Sequence, residues 1–449
     1  MSLRDMVIFG FVFGSLPFIL ARPYIGILVW SVLAFLNPHR FGIVAYNFRF
    51  SLVVGAALIV AVLFSRDRGK MIWTPVTYWW ILFFCWTGLT TLFALEPADA
   101  LEGWSRWWKI NLVCLIAIWV VQSRERLHLL VWTIVISLGF YGLKGGVYTL
   151  LGGGEGRVWG PPDSFLQENN GLGLALIMTV PLMRYLQLEA KQRWVRLGLS
   201  GAMLLTALAI LGTHSRGAFL GLIAMGILMA WKSPSRWKAI WTIAIAAPLM
   251  LVFMPASWHE RIGTIGTYEQ DGSAMGRINA WWFAFHLAED RPLLGGGFNT
   301  FTQRLFPLYA PNPTDWHDAH SIYFQVLGEQ GFVGFAFFLL LGVAVVASTR
   351  RIAKLAAERE DLRWAKNLGV MAQVSLMGYA VSGAFLGLAY FDLPWNLVLI
   401  IVVTRMLVER AVAVGAPEDA SARIEDRRAV IPRRGPPQVV ARTGSARGS

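Results

Sequence analysis

The chain alternates long apolar runs with short polar connections. From residue 51 the runs fall at 51–65, 73–95, 110–122, 127–151, 171–188, 197–212, 217–231 and 239–254, then at 332–347, 368–390 and 395–407. A helix rises about 1.5 Å per residue, so roughly 17 to 25 apolar residues cover the hydrocarbon core of a bilayer. Ahead of these, residues 6–36 are apolar but broken at Ala21-Arg22-Pro23, and each half alone is short for a crossing. The segment reads as one broken crossing. The pattern predicts an all-α polytopic membrane protein with about twelve transmembrane helices. It is interrupted once, by a polar stretch over 255–320. A polar segment this long inside an apolar chain is uncommon and usually functional. Within it, Trp281, Trp282 and Phe285 recur at near-helical spacing, which predicts an amphipathic helix over 278–288 lying on the membrane face. Asp290-Arg291-Pro292 and Gly295-Gly296-Gly297 end that helix. The predicted organisation is spans over 1–254, a large partly helical loop over 255–331, further spans over 332–408 and a tail over 409–449.

Composition supports the membrane class, with 56% hydrophobic residues, 15% charged residues and a mean hydropathy of +0.52. A net charge of +13 raises the question of nucleic acid. The placement of the cations answers it, because basic clusters at 66–70, 124–126, 191–196, 232–238 and 350–366 occupy every second connection. The positive-inside rule makes those connections cytoplasmic, so no nucleic-acid partner is implied. The alternate connections, including 152–170, 212–216 and 255–331, then lie on the outer side, and both termini are expected in the cytoplasm. The tail is rich in Arg, Pro, Gly and Ala and is expected to be disordered. No small-residue cleavage site follows the first apolar run, which is read as a retained membrane segment. Trp79, Trp80, Trp104, Trp107, Trp108 and Trp241 lie near run ends, as interfacial anchors do. Cys85 and Cys114 sit inside apolar runs, without disulfide or zinc spacing. Walker A, G-x-S-x-G and H-E-x-x-H sequences are absent, so ATP hydrolysis, serine hydrolysis and zinc proteolysis lack their signatures.

Cations on the outer side carry the chemical argument. Lys144, Arg157, Arg216 and Arg277 come from distant parts of the chain and are predicted on that one side. Convergent cations fit a multiply charged anion such as a pyrophosphate, which arginine binds with its fork. Arg216 follows Ser215 in a tight turn opening an apolar run, where free amides of a helix start would add to an anion site. The competing readings are a charge snorkelling to headgroups for Arg216 and Lys144, and a surface ion pair with Asp271 or Glu269 for Arg277. His317 and His320 precede the run at 332 and share a helix face at i, i+3. No third ligand is spaced with them, so a metal site is disfavoured. A helix start keeps an imidazole neutral, and His320 is read as a general base with His317 in a binding role, against the alternative of structural helix caps.

These residues resemble the O-antigen ligase and polymerase superfamily of bacterial envelope glycosyltransferases. The resemblance rests on Ser215-Arg216-Gly217-Ala218, on Gly276-Arg277-Ile278, on Pro292-Leu293-Leu294-Gly295-Gly296-Gly297-Phe298, and on His320-Ser321-Ile322-Tyr323-Phe324 leading to Gly328-Glu329-Gln330-Gly331. Phe165-Leu166-Gln167-Glu168-Asn169-Asn170-Gly171 looks like the asparagine-containing turn of that superfamily. The resemblance spans residues 155–335, and the family histidine is often followed by Asn where this chain has Ser321. It implies a metal-independent, cofactor-free, inverting transfer of a glycan from undecaprenyl pyrophosphate at the periplasmic face of the bacterial inner membrane. In the ligase branch the acceptor is lipid A-core and the product lipopolysaccharide. The implied site has His320, Arg216 and Arg277 as catalytic residues, with Arg157, Lys144, Asn170, Ser215, His317 and Tyr323 binding substrate. O-antigen polymerase and protein O-oligosaccharyltransferase differ only in acceptor. A lipid or anion transporter is the competitor outside enzymology, and the long histidine-bearing loop without an evident inverted repeat favours an enzyme.

Overall fold

A computed structural model describes residues 2–414, apart from 66–68, 70, 234, 265, 267, 268, 270 and 271. The expected tail falls mostly outside the described residues, as does Asp271. Among the described residues the structure is helical, with no strand. The first part comprises α1 (Leu3–Ala21), α2 (Pro23–Phe35), α3 (Phe50–Phe64), α4 (Pro75–Leu92), α5 (Pro97–Val120) and α6 (Arg124–Leu151). It continues with α7 (Asn169–Glu189), α8 (Arg193–Gly212), α9 (Arg216–Lys232) and α10 (Arg236–Phe253). Three helices lie in the polar stretch: α11 (Ala256–Gly263), α12 (Gly272–Asp290) and α13 (Phe306–Tyr309). The chain closes with α14 (Ile322–Leu355), α15 (Arg363–Gly383) and α16 (Asp392–Val414). Helix α16 carries regular structure past 408, where the tail was expected to begin. Among the described residues six helices, α1, α6, α7, α8, α10 and α14, are long and apolar enough to cross a bilayer, and α2 and α3 are shorter apolar helices. The chain is a multi-pass helical membrane protein.

Helix starts follow local chemistry. Pro75 and Pro97 occupy first-turn positions, where a missing N–H costs nothing. Ser123 and Ser215 accept from Arg126 N and Ala218 N to cap α6 and α9.

The segment expected as one broken crossing is two antiparallel helices. Arg22 is extended and Pro23 lacks an N–H, so the helix stops and the chain reverses. The start of α1 meets the chain beyond α2, where Asp5 Oδ1 accepts from Ile43, Val44 and Ala45 N at 2.9, 3.1 and 3.0 Å. Arg40 donates to Asp163 O at 3.0 Å, and the Tyr46 hydroxyl bonds the Asp163 carboxylate. The α1–α2 turn lies at the other end, with Arg126 over the Tyr24 ring at 4.8 Å. Residue 5 therefore lies at the end of the bundle that holds 152–170, opposite to the expectation from charge. At the Tyr24 end, Arg124 and Asn367 both reach Glu189. At the Asp163 end, Leu95 N bonds Gly296 O, Asn169 Nδ2 bonds Thr213 O and Trp258 Nε1 bonds Leu211 O.

Trp80 and Trp107 are core residues, not interfacial anchors. Both are fully buried; Trp80 donates to Asn111 Oδ1 at 2.7 Å and Trp107 to Thr87 Oγ1 at 2.9 Å. Helix α12 is longer than expected and buries Gly276, Asn279, Ala280, Phe283, Ala284, Leu287 and Ala288 against neighbouring protein. Trp282, by contrast, is exposed.

Candidate active site

The site is built on a break in α14. Gly331 has φ 66° and ψ −176°, a conformation essentially restricted to glycine, and it interrupts the ladder. The carbonyls freed by the break find partners in the glycine loop after α12. Gly296 N donates to Gly328 O at 2.8 Å and Gly297 N to Glu329 O at 2.9 Å, while Phe332 N donates to Pro292 O at 2.8 Å. Trp86 Nε1 takes Gln330 O at 3.2 Å. The motifs Pro292–Phe298 and Gly328–Gly331, nearly thirty residues apart, are thus two halves of one joint. The joint aims the first turns of α14 at a cavity of about 560 Å³ that reaches His320, Glu168, Asp318 and Glu329.

His320 is held from its neighbours. Its backbone is left-handed, at φ 41°. Trp281 Nε1 donates to Ala319 O at 2.8 Å, and the Trp281 ring stacks on Phe324 at 5.0 Å. Asn279 clamps the incoming chain by donating to Asn312 O and Asp315 O and accepting from Asn312 N. Gly276 seats His317, whose Cε1 would lie 2.6 Å from an added Cβ. Helix α12 therefore presents Arg277 beside the segment that ends in His320. Burial lowers the His320 pKa below its ordinary 6.5, the Arg277 and His317 charges lower it further, and Glu168 acts in the opposite sense. The imidazole is thus neutral at neutral pH. The neutrality attributed in the sequence to a helix start comes mainly from desolvation.

A second group surrounds the turn before α9. His214 is buried and left-handed at φ 54°, with Nε2 2.9 Å from Gly154 O. Arg261 of α11 donates from Nε to His214 O at 2.9 Å, and Arg216 donates to Thr264 Oγ1 at 2.8 Å. Arg157 and Arg261 lie close enough for their charges to lower the His214 pKa, although burial is the larger cause. Arg157, Arg216 and Arg261 thus gather around one turn. The segment 382–388 separates this group from His320, because Gly217 packs on Phe385 while Gly387 packs on His320.

The other expected residues divide. Ser215 serves as the α9 cap, and Asn170 opens α7 beside Asn169, which is the residue tied to Thr213. His317 lies against Asp315, with Nδ1 3.2 Å from Oδ1. Tyr323 points away from the cavity and donates to Ala380 O of α15 at 3.0 Å. Lys144 is on the exposed face of α6 with Phe140, Leu143 and Val147, remote from the buried face at Tyr141 and Gly145. Sequence reasoning missed Arg261, Trp281 as an anchor of residue 319, and Glu329. Arg261 had a signal, as a cation in the polar stretch. Among the described residues no three His, Cys, Asp or Glu side chains converge as metal ligands would.

Comparison with known families finds two matches along the chain. Residues 3–191 match a family of unknown function (DUF5935). A comparison with curated proteins finds no match. Residues 201–339, which hold Arg216, Arg261, Arg277, the glycine loop, His320 and the α14 break, match the O-Antigen ligase family, in keeping with the resemblance carried by the sequence motifs.

Proposed function

We propose that the protein is an O-antigen ligase: an inverting, metal-independent glycosyltransferase that moves a glycan from undecaprenyl pyrophosphate to lipid A-core. The observation that carries the reading is the placement of His320, neutral and left-handed at a cavity wall, with the Arg277 charge beside it. A sugar hydroxyl attacks only as its proton moves to a positioned base. In the proposed step His320 takes that proton while the acceptor oxygen bonds the anomeric carbon on the face opposite the leaving group. The bond from that carbon to the phosphate oxygen breaks, and its electron pair leaves on undecaprenyl pyrophosphate. Arg277 and the Arg157, Arg216 and Arg261 group neutralise the charge that builds there, each donor being worth roughly 10² to 10³ in rate. The site end then faces the periplasm, and thirteen helices among the described residues, α1 to α10 and α14 to α16, cross the inner membrane. That count is one more than the run pattern, because α1 and α2 cross separately.

Reconstitution with lipid-linked glycan and lipid A-core tests the reading. The expected product is glycosylated lipid A-core with inverted anomeric configuration, formed in EDTA. Donor movement across the bilayer without a new covalent product overturns it in favour of a transporter. Product on glycan or protein acceptors alone reassigns it to the polymerase or protein O-oligosaccharyltransferase branch.

A further inference from the structure

The cavity beside His320 carries a chemistry that the pyrophosphate half of the reaction does not use. Its ionisable lining is mainly acidic: Glu168, Asp318 and Glu329 against Arg106, which is bonded to Glu102 on its own helix. Glu329 is 2% exposed, and its Oε1 accepts from Asn299 N at 3.0 Å. Oε2 is buried without a hydrogen bond of ordinary geometry, while the Tyr390 hydroxyl and Gln325 stand beside the carboxyl group. A buried carboxylate oxygen in that state carries a large desolvation cost unless a ligand supplies a donor. The remaining walls are aromatic, with Trp107, Phe298, Phe301 and Tyr390 among them. A carboxyl oxygen accepts hydroxyl, amide or ammonium hydrogens such as a sugar ring offers, and aromatic faces pack on the C–H faces of a pyranose. A phosphate or uronate placed here would meet the like charge of Glu168 and Asp318 instead.

We infer that this cavity is the acceptor-sugar subsite, that it takes a neutral or amino-sugar ring and rejects a phosphorylated or uronic one, and that Glu329 Oε2 receives a hydroxyl or ammonium hydrogen of that ring. The inference rests on the glycosyl-transfer reading for the word acceptor. It divides the site in two, with the donor pyrophosphate kept to the arginine side and the acceptor hydroxyl delivered to His320 from the acidic side.

The test uses the full-length protein in nanodiscs and three probes: methyl glucoside, methyl glucosaminide and methyl glucuronide, each followed by saturation-transfer NMR. The first two are expected to bind and the glucuronide to give no signal. Glu329→Gln, which keeps the shape and puts an amide in place of the carboxyl acceptor, is expected to weaken binding about tenfold or more. Asp318→Asn, at the exposed rim, is expected to weaken it less and serves where Glu329→Gln fails to fold. Equal binding of the glucuronide, or unchanged glucoside binding in both variants, overturns the inference. Glycoside binding lost on substitution while the reconstituted protein makes no transfer product keeps the sugar subsite and removes the transferase reading. Transfer that depends on His320, with glycoside binding indifferent to Glu329 and Asp318, does the reverse.

Discussion

Gly331→Ala tests whether the break in α14 organises the site. At φ 66° and ψ −176° an alanine pays roughly 1–3 kcal/mol of backbone strain. Its Cβ would also stand 2.6 Å from Leu293 O and 2.8 Å from Pro292 O, and these backbone atoms cannot rotate aside. The glycine loop must retreat, and the bonds that close the joint, from Gly296, Gly297 and Phe332 N and from Trp86 Nε1, are exposed to loss. With strain of about 2 kcal/mol and two bonds lost at about 1 kcal/mol each, the variant is destabilised by about 4 kcal/mol. At roughly 2 °C per kcal/mol for a chain of this size, melting falls by roughly 8 °C. Gly342→Ala in the same helix is the control, since its Cβ would meet nothing within 4 Å. It should be neutral or stabilising by up to about 1 kcal/mol. Thermal unfolding of both purified variants in one detergent, with glycan transfer measured in parallel, makes the comparison. Melting of Gly331→Ala within about 2 °C of the parent protein, with transfer intact, refutes the joint as the organising feature.

Further outcomes follow from the same geometry. His320→Ala is expected to lose about 10² to 10⁴ in transfer rate while still binding donor, with His317→Ala losing less. Because the folded imidazole is held below its ordinary 6.5, the base stays competent until the pH drops beneath that value. A pH–rate profile whose acid limb lies at or above 6.5 contradicts the assignment. Arg216→Lys and Arg277→Lys should be nearly as poor as the alanine variants, since a point charge lacks the bidentate fork; full transfer by either removes that arginine from the site. Lys144→Ala should transfer like the parent protein, because the side chain lies on the outward face of α6, and a large loss would show that this face meets substrate. Reporters inserted at residues 23 and 43 should register opposite compartments, and the same compartment for both would restore a single crossing over 6–36.

The helical membrane class, the polar stretch after 254 and its histidines were legible from residue order, because apolar run length and residue type are local properties. Family resemblance added the expectation that Arg277 and His320 share a site, and the fit of Gly276 to His317 and of Trp281 to Ala319 brings their segments together. Residues 6–36 show where local reading stops. A helix ended by Arg22-Pro23 has the same signature whether the chain bends or reverses, and only Asp5 against residues 43–45 and Tyr24 against Arg126 decide it. Rotation about helix axes was equally hidden: Lys144 and Tyr323 carry suitable groups but sit on faces turned from the cavity. Glu329 stood in the sequence only as part of the motif Gly328-Glu329-Gln330-Gly331, with no role assigned to it. Its burial arises because a glycine loop some thirty residues earlier supplies the hydrogen bonds that let α14 break beside it. Such partners are chosen by closeness in space, which hydrophobic periodicity along a chain does not encode.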